Sequence, residues 1–168
     1  MKLSYALLIV FGLAASTAFA QDDSKIMVGV SYRSFGAACT NCAAVSGPAF
    51  SGGYAVTDKI VATLDLGIYS KSSSGTTSNV TAFGVSGDYY LKGAYKGFYI
   101  GPDVTFINIT EKFSTTEYTQ SNLTVGVNLG WGIVVAERWR IIPHFGYGTW
   151  FENSNGRITL GVKVGFKI

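Results

Sequence analysis

The stretch that decides the fold is Leu123-Thr-Val-Gly-Val-Asn-Leu-Gly-Trp-Gly-Ile133. Read in steps of two, it places Leu123, Val125, Val127, Leu129, Trp131 and Ile133 on one face. Thr124, Gly126, Asn128, Gly130 and Gly132 fall on the other. Successive side chains of a strand point to opposite sides, so this period marks a strand with one apolar and one polar face.

Working outward, the same alternation recurs on both sides. Toward the C-terminus it covers Trp139–Tyr147 and Ile158–Ile168. Toward the N-terminus it covers Ile26–Tyr32, Phe50–Val56, Ile60–Ile68, Thr81–Leu91 and Phe98–Phe106. In all eight segments the face that begins with the first-named residue carries no charge. The opposite faces hold Arg33, Asp65, Asp88, Asp103, Arg140, His144, Lys163 and Lys167 among many small residues. Eight short alternating segments predict an all-β chain, an antiparallel up-and-down barrel whose last strand closes on its first and leaves no sheet edge.

The direction of the apolar face decides the environment. A secreted lipocalin-like barrel would turn it inward and leave the other face in water, a surface unusually poor in charge. A transmembrane barrel needs an apolar exterior and a polar interior, and charge on the lipid side costs several kcal/mol at mid-depth. The composition favours the second arrangement: of 168 residues, 48% are hydrophobic and only 14% charged, with 21 glycines to fill a narrow lumen. The same numbers exclude disorder, and a net charge of +3 is too small for a nucleic-acid footprint.

The connections alternate in length. Thr57–Lys59, Lys92–Gly97 and Ala136–Arg138 are short and rich in turn residues, whereas Gly36–Gly47, Lys71–Ser78, Thr110–Glu117 and Phe151–Gly156 are longer. Transmembrane barrels have short periplasmic turns and longer outer loops. Tyr32, Tyr54, Tyr89, Phe98, Trp131, Trp139, Tyr147 and Phe166 lie near the ends of the apolar band and are read as interfacial girdles. Ahead of the segments, Lys2, the apolar Ala6–Leu13 and Ala18-Phe-Ala20 have the order of a secretory signal peptide. The expected division is a leader over 1–20 and a barrel domain over 21–168.

The chain resembles the small eight-stranded bacterial outer-membrane barrels, such as the OmpX group and the transmembrane domain of OmpA. The resemblance rests on the eight dyad-repeat segments and on the last strand, Arg157-Ile-Thr-Leu-Gly-Val-Lys-Val-Gly-Phe-Lys-Ile168. It implies a bacterial outer-membrane location, contact with membrane lipid and lipopolysaccharide, and handling by the outer-membrane assembly machinery. That machinery reads a final aromatic residue in this family; here the last residue is Ile168, with Phe166 two earlier on the same face. The family includes adhesins, anchors and lipid-modifying enzymes, so the fold alone selects no activity.

Few residues carry recognisable chemistry. Cys39 and Cys42 form Cys-Thr-Asn-Cys in the longest outer loop, and in an exported chain these are expected to pair as a loop-pinning disulfide. Two thiols cannot make a four-ligand zinc site. His144 is the sole histidine, and two residues on, where some lipid A deacylases carry serine, stands Gly146. The inward charges Arg33, Asp65, Asp88, Asp103, Arg140, His144 and Lys163 are expected to form an ionic network that plugs the lumen. In that network the acids and the bases stand on opposite walls, and Asp103 and Lys163 are the members to mutate.

The expectation for function is a monomeric, non-enzymatic barrel with a filled lumen, no cofactor, metal or nucleic-acid partner, and a structural or surface-interaction role through residues 36–47 and 110–117. A narrow porin-like channel is the main alternative. A lipid A-modifying enzyme stands behind it.

Overall fold

The computed structural model describes residues 25–38, 44–73, 76–113, 116–151 and 156–168. Cys39 and Cys42 lie outside the described residues, as does the leader. Eight strands follow one another: β1 (Ile26–Ala38), β2 (Val45–Ala55), β3 (Ile60–Ser73), β4 (Thr76–Tyr90), β5 (Gly97–Phe113), β6 (Thr116–Val134), β7 (Trp139–Trp150) and β8 (Gly156–Lys167). Each pairs antiparallel with the next, and β1 pairs with β8 from Met27↔Lys167 to Ala38↔Gly156, which closes the barrel.

The apolar face points outward on all eight strands. Val30, Leu64, Phe83, Val104, Val127, Ile141 and Leu160 are exposed, whereas their neighbours Ser31, Thr63, Ala82, Asp103, Ile142 and Thr159 are buried inside. A barrel with this exterior is stable only where the outside medium is apolar, so the lipocalin-like phasing is excluded.

Two expected loops turn out to be strand. β3 and β4 stay paired to Ser73↔Thr76, and β5 and β6 to Phe113↔Thr116. The described residues of Lys71–Ser78 and Thr110–Glu117 are therefore paired strand ends. Thr and Ser fill them, and these residues suit a ladder as well as a loop. β5 and β6 are 17 and 19 residues long, against the roughly 9–11 that a tilted membrane strand needs. Their far ends stand clear of the apolar band.

Each proline opens one ladder. Pairing between β2 and β3 skips Gly47 and Pro48, that between β4 and β5 skips Pro102, and that between β6 and β7 skips Pro143. A closed barrel has no edge strand on which to park a residue without an N–H, so each proline costs a local gap.

The lumen is layered. At the turn end Met27, Val61, Tyr90, Tyr95, Tyr99 and Ile142 form one buried apolar cluster. At the loop end Phe35, Val45, Tyr69, Val80, Ala82 and Ile107 form another. Tyr95 enters from outside the strands. It belongs to the β4–β5 turn, adopts φ 63° and tucks its ring into the barrel mouth, where its hydroxyl donates to the Lys25 carbonyl at 3.2 Å. A non-glycine residue in the left-handed region costs about 1–2 kcal/mol, which burial of the whole ring offsets.

Candidate functional site

Between the two apolar clusters lies a polar layer. Arg33 on β1 donates through Nη2 to Asp65 Oδ1 on β3 at 2.5 Å and through Nε to Ser31 Oγ at 3.0 Å. Lys163 Nζ on β8 stands 3.6 Å from the same Asp65 oxygen. On the far side Arg157 of β8 pairs with Asp103 of β5, whose Oδ2 also accepts from Thr105 at 3.0 Å. Asp88 Oδ2 accepts from Thr63 at 3.1 Å and, among the described residues, has no ion-pair partner. Arg33, Arg157 and Lys163 thus face Asp65, Asp88 and Asp103, three cations against three carboxylates. The alternation places these groups inside, because every odd-numbered residue of β1 and β8 and its counterparts elsewhere point to the lumen.

The inward residues do not all join this layer. Arg140 lies at the turn end, and its Nη1 donates to the carbonyls of Ala136, Glu137 and Trp139 at 2.9, 3.0 and 3.0 Å. It caps the β6–β7 turn, since the second residue of β7 is too far down the strand to reach the charged layer. His144 borders the layer with Nδ1 3.4 Å from the Ile142 carbonyl, and its buried Nε2 has no hydrogen-bond partner among the described residues.

The carboxylates of β3, β4 and β5 face the cations of β1 and β8 across the lumen. Asp103 is held by Arg157, and Lys163 stands by Asp65. Strand tilt shifts the heights of residues on neighbouring strands, so partners across the lumen are set by the closed barrel and not by position along each strand. Arg157 escaped the sequence reading although its signal was present: it continues the inward series Thr159, Gly161, Lys163 by one step.

The enclosed space left among these groups is about 40 Å³, room for only a few waters. Among the described residues no cluster of His, Cys, Asp or Glu is arranged to hold a metal ion.

The outer surface of the barrel carries the aromatic residues. Phe98 packs edge-on against Trp131 at 6.5 Å, and Trp139 against Phe166 at 5.0 Å. With Tyr54 and Tyr89 these lie at the turn end, opposite Ile26 and Ile60 in the ladders. Tyr147 lies toward the loop end of β7, and Tyr32 stands at the middle of β1. The loop end differs in shape around its rim. β3, β4, β5 and β6 rise together in one paired wall, whereas β7 stops at Trp150, opposite Thr124. Among the described residues nothing pairs with Thr116–Asn122 on that side of β6.

A closed eight-stranded antiparallel barrel with an apolar exterior and a polar, packed interior is a transmembrane β-barrel. The chain belongs to the outer membrane protein beta-barrel domain family, whose profile matches residues 5–167. It is a bacterial outer-membrane protein in contact with membrane lipid, and its turn end faces the periplasm. No curated protein matches it significantly in sequence. Among solved structures it is similar to Neisserial surface protein A, at 17% identity and TM-score 0.70 over 86% of this chain and 98% of that one. It is also similar to Ail, the attachment invasion locus protein of Yersinia pestis, at 8% identity and TM-score 0.58 over 84% and 95%. The outer membrane protein OprG of Pseudomonas aeruginosa matches at 9% identity and TM-score 0.58 over 85% and 96%.

Proposed function

We propose that this protein is a monomeric surface-contact barrel that engages a partner through the raised β5–β6 hairpin, while the packed lumen serves only to hold the wall. The edge of β6 over Thr116–Asn122, which pairs with nothing on its β7 side among the described residues, is the observation that carries this reading. A strand edge offers a row of unsatisfied N–H and C=O groups, and an extended peptide can add to it as a further strand. Native edges are usually blunted by proline, lysine or a bulge. This one has neither proline nor lysine, and its single charge, Glu117, is bound to Lys112 at 3.0 Å. Thr116–Ser121 are exposed on both faces.

Two other readings are weaker. A channel needs a continuous path, and among the described residues two buried apolar clusters flank a space of about 40 Å³ in the charged layer. A polyanion site is suggested by the Ail structure in complex with the heparin analogue sucrose octasulfate. Here the described loop-end charges are Lys71 and Lys112 against Glu111 and Glu117, so no cationic field is present.

Removal of residues 1–20 during export and recognition of the Phe166 strand by the assembly machinery belong to the same proposal, as does contact of the loop end with lipopolysaccharide. No enzymatic step is assigned, since Gly146 stands where a His-x-Ser pair would need its nucleophile.

The test uses nanodisc-embedded protein and a phage library of extended peptides, followed by hydrogen exchange with an enriched peptide. Slowed exchange of the Thr116–Asn122 amides, abolished by Tyr118→Lys with Gln120→Lys, is the expected result. Enriched peptides that leave those amides unchanged overturn the reading.

A further inference from the structure

The lipid-facing wall of β2, β3 and β4 has an unusual stretch of small residues. Gly52, Ala62 and Gly87 all point outward, and Ala62 lies directly opposite Gly87 in the β3–β4 ladder. Nothing in the fold requires these glycines: a Cβ built on Gly52 or Gly87 meets no atom within 4 Å. Glycine in a strand weakens it relative to alanine, so two that relieve no clash call for another reason. Gly52 and Ala62 floor a groove of about 420 Å³ walled by Ile26, Tyr54, Leu64 and Val85.

The periplasmic end of this groove is basic. Lys25 immediately precedes Ile26, and Lys59 precedes Ile60, two residues from Ala62. Both lysines are exposed and both are fixed by their backbones, since the Lys25 carbonyl accepts from Ala55 at 2.7 Å and the Lys59 carbonyl accepts from Tyr90 at 2.7 Å. Lys92 and Lys96 follow on the neighbouring turn, which is joined to the first by the Ala94 amide donating to the Asp58 carbonyl at 2.5 Å. Asp58 is the one acid among these turn residues, against four lysines.

We propose that the groove over Gly52 and Ala62 is a binding site for one anionic phospholipid of the inner leaflet, with Lys25 and Lys59 at its phosphate. An apolar slot in the membrane-spanning wall accepts an acyl chain, and cations at the headgroup level select negative lipids. Tyr54 lines the groove, and Tyr89 stands opposite Ile60 at the turn end, the depth where such rings anchor to headgroups. The site is independent of the β6 edge and stands or falls without it.

Native mass spectrometry of the full refolded chain, offered equal phosphatidylglycerol and phosphatidylethanolamine in detergent, tests the site. The wild type is expected to retain one phosphatidylglycerol. Lys25→Gln with Lys59→Gln lowers that preference about tenfold. Gly52→Leu with Ala62→Leu fills the slot and removes retention of either lipid. A heat-dependent gel shift verifies that both variants still close the barrel. Equal retention of the two lipids by the wild type overturns the proposal and leaves the lysines to an acidic protein partner. Unchanged retention in the slot-filled variant, or unchanged preference in the lysine variant, overturns it too.

Discussion

Arg157 and Asp103 meet across the lumen from β8 and β5, and each side chain is only 4% exposed. Neither strand neighbours the other, so this pair ties opposite walls of the barrel together. A buried pair need not stabilise relative to an apolar filling, but breaking one leaves a charge stranded.

Asp103→Asn and Arg157→Met are therefore each expected to cost about 3–5 kcal/mol in urea unfolding of vesicle-embedded protein. The double variant should cost clearly less than the two singles summed, because they disable one contact. Lys163→Met should cost less than either, since Asp65 keeps Arg33 at 2.5 Å. Additive effects, or a Lys163 variant as damaged as the Arg157 one, would show that this pair is not the tie.

Tyr95 closes the periplasmic mouth. Tyr95→Ala is expected to lose about 3 kcal/mol, because a large buried ring goes while the unfavourable φ remains. Tyr95→Phe should lose only about 1 kcal/mol with the hydrogen bond to Lys25. Burial pushes the Tyr95 phenol above its ordinary value. The folded chain then keeps a proton that the unfolded chain releases near pH 10, so this part of the stability is present below that pH and drains away above it. Urea midpoints of the wild type should fall toward those of Tyr95→Phe as the pH is raised from 9 to 11. Parallel curves would contradict this.

Planar-bilayer recordings of the wild type should show no ohmic conductance steps. The charged layer is sealed by Tyr95, Tyr99 and Ile142 on one side and by Phe35, Tyr69 and Ile107 on the other. Steady single-channel steps from homogeneous folded protein would require a lumen that opens, and the three-layer packing would then be a closed state.

Strand number, order and phase were all legible in the sequence, since each follows from a period of two that local chemistry enforces. Partners across the lumen were not. Asp103 meets Arg157 and Lys163 stands by Asp65, pairings set by barrel shear and not by the local period. Arg140 read as an interior charge, but its position next to a turn lets it satisfy three carbonyls instead. Tyr95 was invisible for another reason: it lies in a turn, where no periodicity says that a ring folds back into the barrel. The loop boundaries failed where Thr-rich segments fit ladder and loop equally well, as in Thr110–Glu117.

Two glycines separate the steric demands of the interior from those of the exterior. Gly130 points inward opposite Tyr99, and a Cβ there would strike that ring. Tyr99 is held in turn by Tyr90, 4.8 Å away, so it cannot move aside without disturbing the periplasmic cluster. Gly130→Ala is expected to cost about 1–3 kcal/mol as an overpacking defect. Gly87→Ala meets nothing within 4 Å and faces lipid, so it should be neutral or stabilising by about 0.5–1 kcal/mol. Paired urea titrations on the two variants decide the matter. An equal loss at both sites would mean that glycine serves backbone conformation throughout this wall, and the packed-lumen account of Gly130 would fall.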